Sequence, residues 1–355
     1  MYAFVRSTFR ACLLSLVASL AFASIASAQK YVQTNLVSDV PGWAAVQDPN
    51  LVNAWGIDFS GGSPAWIADN GTGLSTLYTG TGSIVPLVVT IPPPKGVEGQ
   101  SAPTGLVFDG TGEFVVKAHD LSGSALFIFA TEDGTISGWN PTVDLNNAIL
   151  AVDNSAGGAV YKGLAIATTQ EGSFIYATNF HSGWVEMYDS NFGWVKNFTD
   201  TDLPAGYAPF GIRTLNGKLY VTFALQDADK HDDVKGPSHG FVDIFDLDGN
   251  KLKRLISHGE LNSPWGLAIA PSNFGKFSGD LLVGNFGNGH INAFNPSTGG
   301  ARGHMLRPNG NTLEIDGLWG LHFGNGAAAG PTNTLLFTAG PDDESHGLFG
   351  TIQAK

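Results

Sequence analysis

The chain has 355 residues, 43% of them hydrophobic and 14% charged, with 47 glycines and 31 acidic residues against 18 basic ones, a formal charge of −13. That acidic balance excludes nucleic acid and anionic membrane surface as expected partners, because both are held through clustered cations. Cys12 is the only cysteine, which excludes an intrachain disulfide and a cysteine-built metal site.

Residues 1–28 read as a secretory signal. Arg6 and Arg10 precede an apolar run over 11–23, and Ala26-Ser27-Ala28 supplies the small residues of a cleavage site before Gln29. A membrane anchor is the alternative, but the run is short for a bilayer. Cleavage leaves residues 29–355, with 16 basic and 31 acidic residues and a formal charge of −15. Nothing in that stretch resembles an interdomain linker, so it is expected to be one domain, monomeric and secreted or periplasmic, with no membrane span.

Six copies of a glycine followed by Ile or Leu run through this domain: Trp55-Gly56-Ile57, Thr104-Gly105-Leu106, Lys162-Gly163-Leu164, Phe210-Gly211-Ile212, Trp265-Gly266-Leu267 and Trp319-Gly320-Leu321. Their glycines lie 49, 58, 48, 55 and 54 residues apart, a period that suits a propeller blade and exceeds a two-helix repeat. The fifth copy is the clearest. It predicts an inner strand over 265–270, a second over 280–284, a turn at 285–289 rich in residues that tolerate positive φ, a third over 290–294 and a fourth near 301–306. Second strands are expected at 65–68, 114–117, 174–177, 219–223 and 335–338, and third strands at 74–78, 125–130, 184–188, 241–245 and 348–352. The last copy ends without residues for a fourth strand, whereas 31–37 is a strand without a blade. The fold class expected is therefore all-β, a six-bladed β-propeller closed by an N-terminal strand that completes the last blade. A ring of five or seven blades is the alternative.

In such a ring the turns between second and third strands, and the connections entering each blade, open on one face around the central channel. The residues expected there as ligand-binding candidates are Asn53, Asp69, Asn70, His119, Asp120, Asn179, His181, Asn285 and Asp342, joined by Glu98, Lys162, Asn262 and Asp316 from the incoming connections. Turn and capping chemistry accounts for the same residue types. For a divalent cation, calcium or another, the candidate ligands are Asn179, His181, Asn285, Asp227 and Asp229. The long connection 226–236 carries the last two. It lacks the sixth-position glycine and terminal Glu of an EF-hand and reads as a solvated loop or as a lid ordered by calcium. His119 and His181, on blades two and three, are expected as the closest histidine pair. The connection 140–161 reads as a second insertion over the same face. No G-x-S-x-G, no H-E-x-x-H and no cysteine nucleophile is present.

The segments Asn50-Leu51-Val52-Asn53-Ala54-Trp55-Gly56-Ile57, Ile67-Ala68-Asp69-Asn70-Gly71-Thr72-Gly73, Gly134-Thr135-Ile136-Ser137-Gly138-Trp139-Asn140-Pro141 and 224–233 resemble a secreted, uncharacterised bacterial family, the conserved hypothetical proteins numbered 3118. The resemblance covers residues 29–355 and implies no established activity. More distantly the repeats are similar to NHL-type six-bladed propellers, a group of protein-binding modules, peptide-amidating lyases and metal-dependent lactonases. The lactonase resemblance implies Asn179 and Asn285 as cation ligands, with no equivalent Glu aligned. The function expected is an exported module that binds an extracellular or periplasmic small molecule or protein on the channel-mouth face. The alternative is a metal-dependent hydrolase or lyase with a divalent cation at the channel.

Overall fold

The computed structural model describes residues 30–355; the expected signal segment lies outside them. Strands β1 (Tyr31–Ser38) and β2 (Val46–Gln47) precede the first blade, which is β3 (Ala54–Asp58), β4 (Ala65–Asp69), β5 (Leu74–Tyr78) and β6 (Ile84–Thr90). Blade two is β7 (Pro103–Phe108), then an inserted hairpin of β8 (Val115–Ala118) and β9 (Leu121–Ser124), then β10 (Phe127–Thr131), β11 (Thr135–Trp139) and β12 (Ile149–Asp153). Blades three and four are β13 (Tyr161–Thr169) to β16 (Trp194–Phe198), through β14 (Gly172–Asn179) and β15 (Trp184–Asp189), and β17 (Tyr207–Leu215) to β20 (Lys251–Ser257), through β18 (Lys218–Leu225) and β19 (Phe241–Phe245). Blade five is β21 (Pro264–Ile269), β22 (Leu281–Asn285), β23 (Ile291–Phe294) and β24 (Ala301–His304). Blade six holds β25 (Leu318–Phe323), β26 (Leu335–Ala339) and β27 (Leu348–Ala354), with β1 antiparallel to β27 as its fourth strand. The fold is thus the six-bladed propeller expected, closed by its N-terminal strand.

The repeated glycine has a steric cause. Each inner strand packs on the inner strand of the next blade, and a Cβ on Gly56 would collide with Thr104 O, on Gly105 with Leu164 N, on Gly163 with Phe210 O, on Gly211 with Trp265 O, on Gly266 with Trp319 O and on Gly320 with Trp55 O. The contacts run once round the ring and close on themselves. Only a residue without a side chain lets six strands crowd one axis this closely. Between the blades, buried apolar side chains form clusters shared by adjacent sheets, such as Trp66, Leu77, Phe127, Phe129 and Trp139 between blades one and two.

Blade two departs from the expected pattern. Residues 114–117 were expected as its second strand, but 115–118 pairs only with 121–124, and this hairpin packs on β11 and β12 at the outer side of the blade. The second strand is β10, which pairs with β7, so the turn between second and third strands is Glu132-Asp133-Gly134. Likewise the connection 140–161 is no free insertion, since it contains the outer strand β12.

Candidate functional site

In four of the six copies the residue before the signature glycine is aromatic. Trp55, Phe210, Trp265 and Trp319 meet Phe180 and Phe286 in one buried aromatic cluster. Trp55 stacks on Trp319 with centroids 3.6 Å apart, and Trp319 on Phe286 at 3.8 Å. These rings plug the channel. The same position in blade three is Lys162, whose side chain is buried beside the plug, its Nζ 5.2 Å from the Trp55 ring and 5.9 Å from that of Phe180.

A buried ammonium needs anionic partners, and Lys162 has two. Its Nζ pairs with Glu132 Oε1 from the turn of blade two and, at 3.0 Å, with Asp232 Oδ1 from the long connection of blade four. Burial pulls the Lys162 pKa down, but Glu132 and Asp232 outweigh it and hold it above its ordinary value. His231 Nδ1 lies 3.0 Å from the same Asp232 oxygen; that bond raises the His231 pKa and, with Lys162, holds Asp232 well below the carboxylate range. On the other side Asn70 Nδ2 donates to Glu132 Oε2 at 2.8 Å. Asn53, held at φ +47°, uses every polar atom of its amide. Its Oδ1 accepts from the indoles of Trp55 and Trp319, and its Nδ2 donates to Asn70 Oδ1 and, at 2.7 Å, to Glu344 Oε2. Burial lifts the Glu344 pKa, with Asn53 opposing. An arc Glu344–Asn53–Asn70–Glu132–Lys162–Asp232–His231 thus crosses the mouth, drawn from blades one, two, three, four and six. Ligand atoms of Glu132, His231 and Asp232 lie within 4.8 Å of one another, a spacing that fits a divalent cation, but the Lys162 ammonium already sits against both carboxylates.

Of the candidates read from the sequence, Asn53 and Asn70 belong to this arc. Asp342 is exposed on the turn that carries Glu344, its N–H bonded to Asp316. Asp69 precedes Asn70 yet is fully buried within blade one. His119 and Asp120, both at positive φ, close the β8–β9 hairpin on the outer side of blade two, and so do not face His181 across the mouth. His181 follows β14, its carbonyl near Gln226 Nε2. Asn179 is spent on Glu186 at 2.7 Å and on the N–H groups of Val160 and Ser182. Asn285 donates to Glu260 O at 2.7 Å. Asp227 accepts the His231 N–H and shapes the loop, and Asp229 is exposed on it. Among the described residues no hydrogen bond joins any one of these five metal candidates to another. Sequence reasoning missed Glu132 because it misplaced the second strand of blade two; the Glu132-Asp133-Gly134 turn between two apolar runs carried the signal.

No family model matches the chain. It is similar to two uncharacterised proteins of Acanthamoeba polyphaga mimivirus, one 34% identical over 328 residues that cover 89% of this chain and 78% of the relative, the other 31% identical over 328 residues that cover 89% and 84%. These relatives are viral, whereas the sequence resemblance pointed to bacterial ones. Among solved structures it is similar to a glucose dehydrogenase, with TM-score 0.55 and 11% identity over 91% of this chain and 100% of the other. It is also similar to a streptogramin B lyase, with TM-score 0.52 and 8% identity over 92% and 98%. At such identities the likeness is one of fold alone.

Proposed function

Because the chain belongs to the family of these uncharacterised mimivirus proteins, whose members lend it no activity, we propose its function from the channel mouth: a binding module for a small ligand that carries a cationic amine. One observation supports this reading above the rest. Three carboxylates from three blades, Glu132, Asp232 and Glu344, converge where Lys162 supplies one ammonium, and a second, Lys235 Nζ, lies 4.3 Å from the Phe286 ring and 3.9 Å from Asp343, so the mouth keeps more carboxylates than ammonium groups beside aromatic faces that already attract cations, the surroundings that hold a cation. Asp232 and His231 remain exposed at its rim. Export is part of the same reading, in keeping with the apolar run 11–23 and Ala26-Ser27-Ala28, as is kinship with the bacterial 3118 family through the motif 67–73.

A second reading, a metal-dependent hydrolase or lyase, is favoured by the clustering of Glu132, His231 and Asp232; a metal there has to displace the Lys162 ammonium. Calorimetric titration with putrescine, calcium chloride and zinc chloride separates the two. Putrescine is expected to bind saturably, with at least a roughly tenfold loss in Glu344→Gln, and the metal salts to leave the melting temperature unchanged. A metal-induced rise in melting temperature that Glu132→Gln abolishes replaces the first reading by the second. Absence of putrescine heat refutes the first outright.

A further inference from the structure

Beyond the aromatic plug the channel opens again into a chamber of about 210 Å³, at the end opposite the mouth. Its wall is the ring of residues that follow the signature glycines: Ile57, Leu106, Leu164, Ile212, Leu267 and Leu321. That volume is far more than a single water requires. Three polar side chains, Asp58, Arg213 and Thr214, also line it, and their hydrogen bonds can be accounted for one by one.

Asp58 is fully engaged. Its Oδ1 accepts from Phe59 N and lies 3.1 Å from His322 Nε2, and its Oδ2 accepts from Phe108 N at 2.8 Å. Burial works to raise its pKa, but His322 and then Arg213 bring it below the usual carboxylate range. Thr214 Oγ1 donates to Ile166 O at 2.8 Å. Arg213 differs. It reaches from blade four to blade six, where Nη1 donates to Leu321 O at 2.7 Å, and among the described residues the structure gives it no other hydrogen-bond partner. Nε and Nη2, the donors on the other edge of the fork, have no partner among the described residues, and Arg213 lines the chamber. The bond to Leu321 fixes the guanidinium in place, so this edge is presented pre-oriented.

We propose that the chamber binds a short aliphatic carboxylate, its two oxygens on the free edge of Arg213 and its alkyl chain against the aliphatic ring. A planar carboxylate matches a guanidinium edge in bidentate geometry. A phosphate fits worse on two counts: the nearby Asp58 charge repels a dianion, and an aliphatic wall offers no donors to its remaining oxygens. The plug separates this chamber from the acidic mouth, so the two sites take ligands of opposite charge from opposite faces.

Titration with carboxyl-labelled butyrate, followed by NMR of the labelled carbon, tests the assignment. The native protein is expected to show saturable binding with a dissociation constant of about 1 mM, uncontested by inorganic phosphate. Arg213→Met should abolish it, and Arg213→Lys, which keeps the charge but loses the fork, should weaken it roughly tenfold. Lack of saturable binding in the native protein, unchanged affinity in either variant, or equal competition by phosphate overturns the proposal. Should Arg213→Met fail to fold, Arg213→Lys decides the matter alone.

Discussion

Asp69 and Asn70 are neighbours in sequence with opposite fates, because Asp69 ends strand β4 inside the blade whereas Asn70 opens the turn that follows it. Asn70 reaches the arc over the channel, whereas both oxygens of the fully buried Asp69 lack a hydrogen-bond partner, Thr76 being the nearby polar group that acts on its charge. Burial raises the Asp69 pKa well above the carboxylate range, Thr76 opposes, and the charge of Asp48 adds to the rise. The sign of the pH effect follows. The unfolded chain releases this proton near pH ~3.9 and the native state only at higher pH, so between the two values the native state binds more protons and stability falls as pH rises. Asp69→Asn is therefore expected to raise stability at pH 7 by about 1–3 kcal/mol and to flatten its decline with pH. Urea denaturation at pH 5 and pH 7 checks this; a variant less stable than the native protein at pH 7, with the pH slope retained, defeats it.

At the level of the strand, the inner strands show why a two-residue signature was legible where a site was not. The glycine recurs because each copy meets a neighbouring backbone, a requirement that local sequence alone satisfies. Gly105→Ala places a methyl against Leu164 N, backbone that cannot yield cheaply, and should cost about 1–3 kcal/mol. Gly62→Ala, in an exposed turn with open space around its Cβ, serves as the neutral comparison. Equal melting temperatures for the two variants would refute the steric account of the signature. Residues 114–117 misled for the converse reason: Phe114-Val115-Val116-Lys117 has full strand character, and only pairing, β8 with β9 rather than with β7, decides that it stands outside the blade. Glu132 was lost with that error. The residue before each glycine was visible, Lys162 among them, but that this lysine is bound by carboxylates from two other blades depends on contacts 30 and 70 residues away.

For the whole molecule, closure rests on the pairing of the two ends of the described chain. Tyr31 pairs with Ala354 and Ser38 with Leu348, and Lys355 N donates to Lys30 O at 2.8 Å. This much was legible, because the sixth repeat lacked a strand and the stretch 31–37 lacked a blade. Lys30 and Lys355 stand side by side as the open end of a hairpin, so covalent continuity there is not what holds the ring together. Paired strands do, by burying Tyr31, Val37, Phe349 and Ile352 and satisfying the edge of β27. A circular permutant of residues 30–355, with Lys355 joined to Lys30 through an Asn-Gly turn and new ends between Gly61 and Gly62, should then fold with a melting temperature within about 5 °C of the parent. The same permutant without residues 30–38 leaves β27 as a free edge and should self-associate in size-exclusion chromatography. If the shortened permutant instead stays monomeric and melts with the parent, β1 is a decoration of blade six and the ring closes without it.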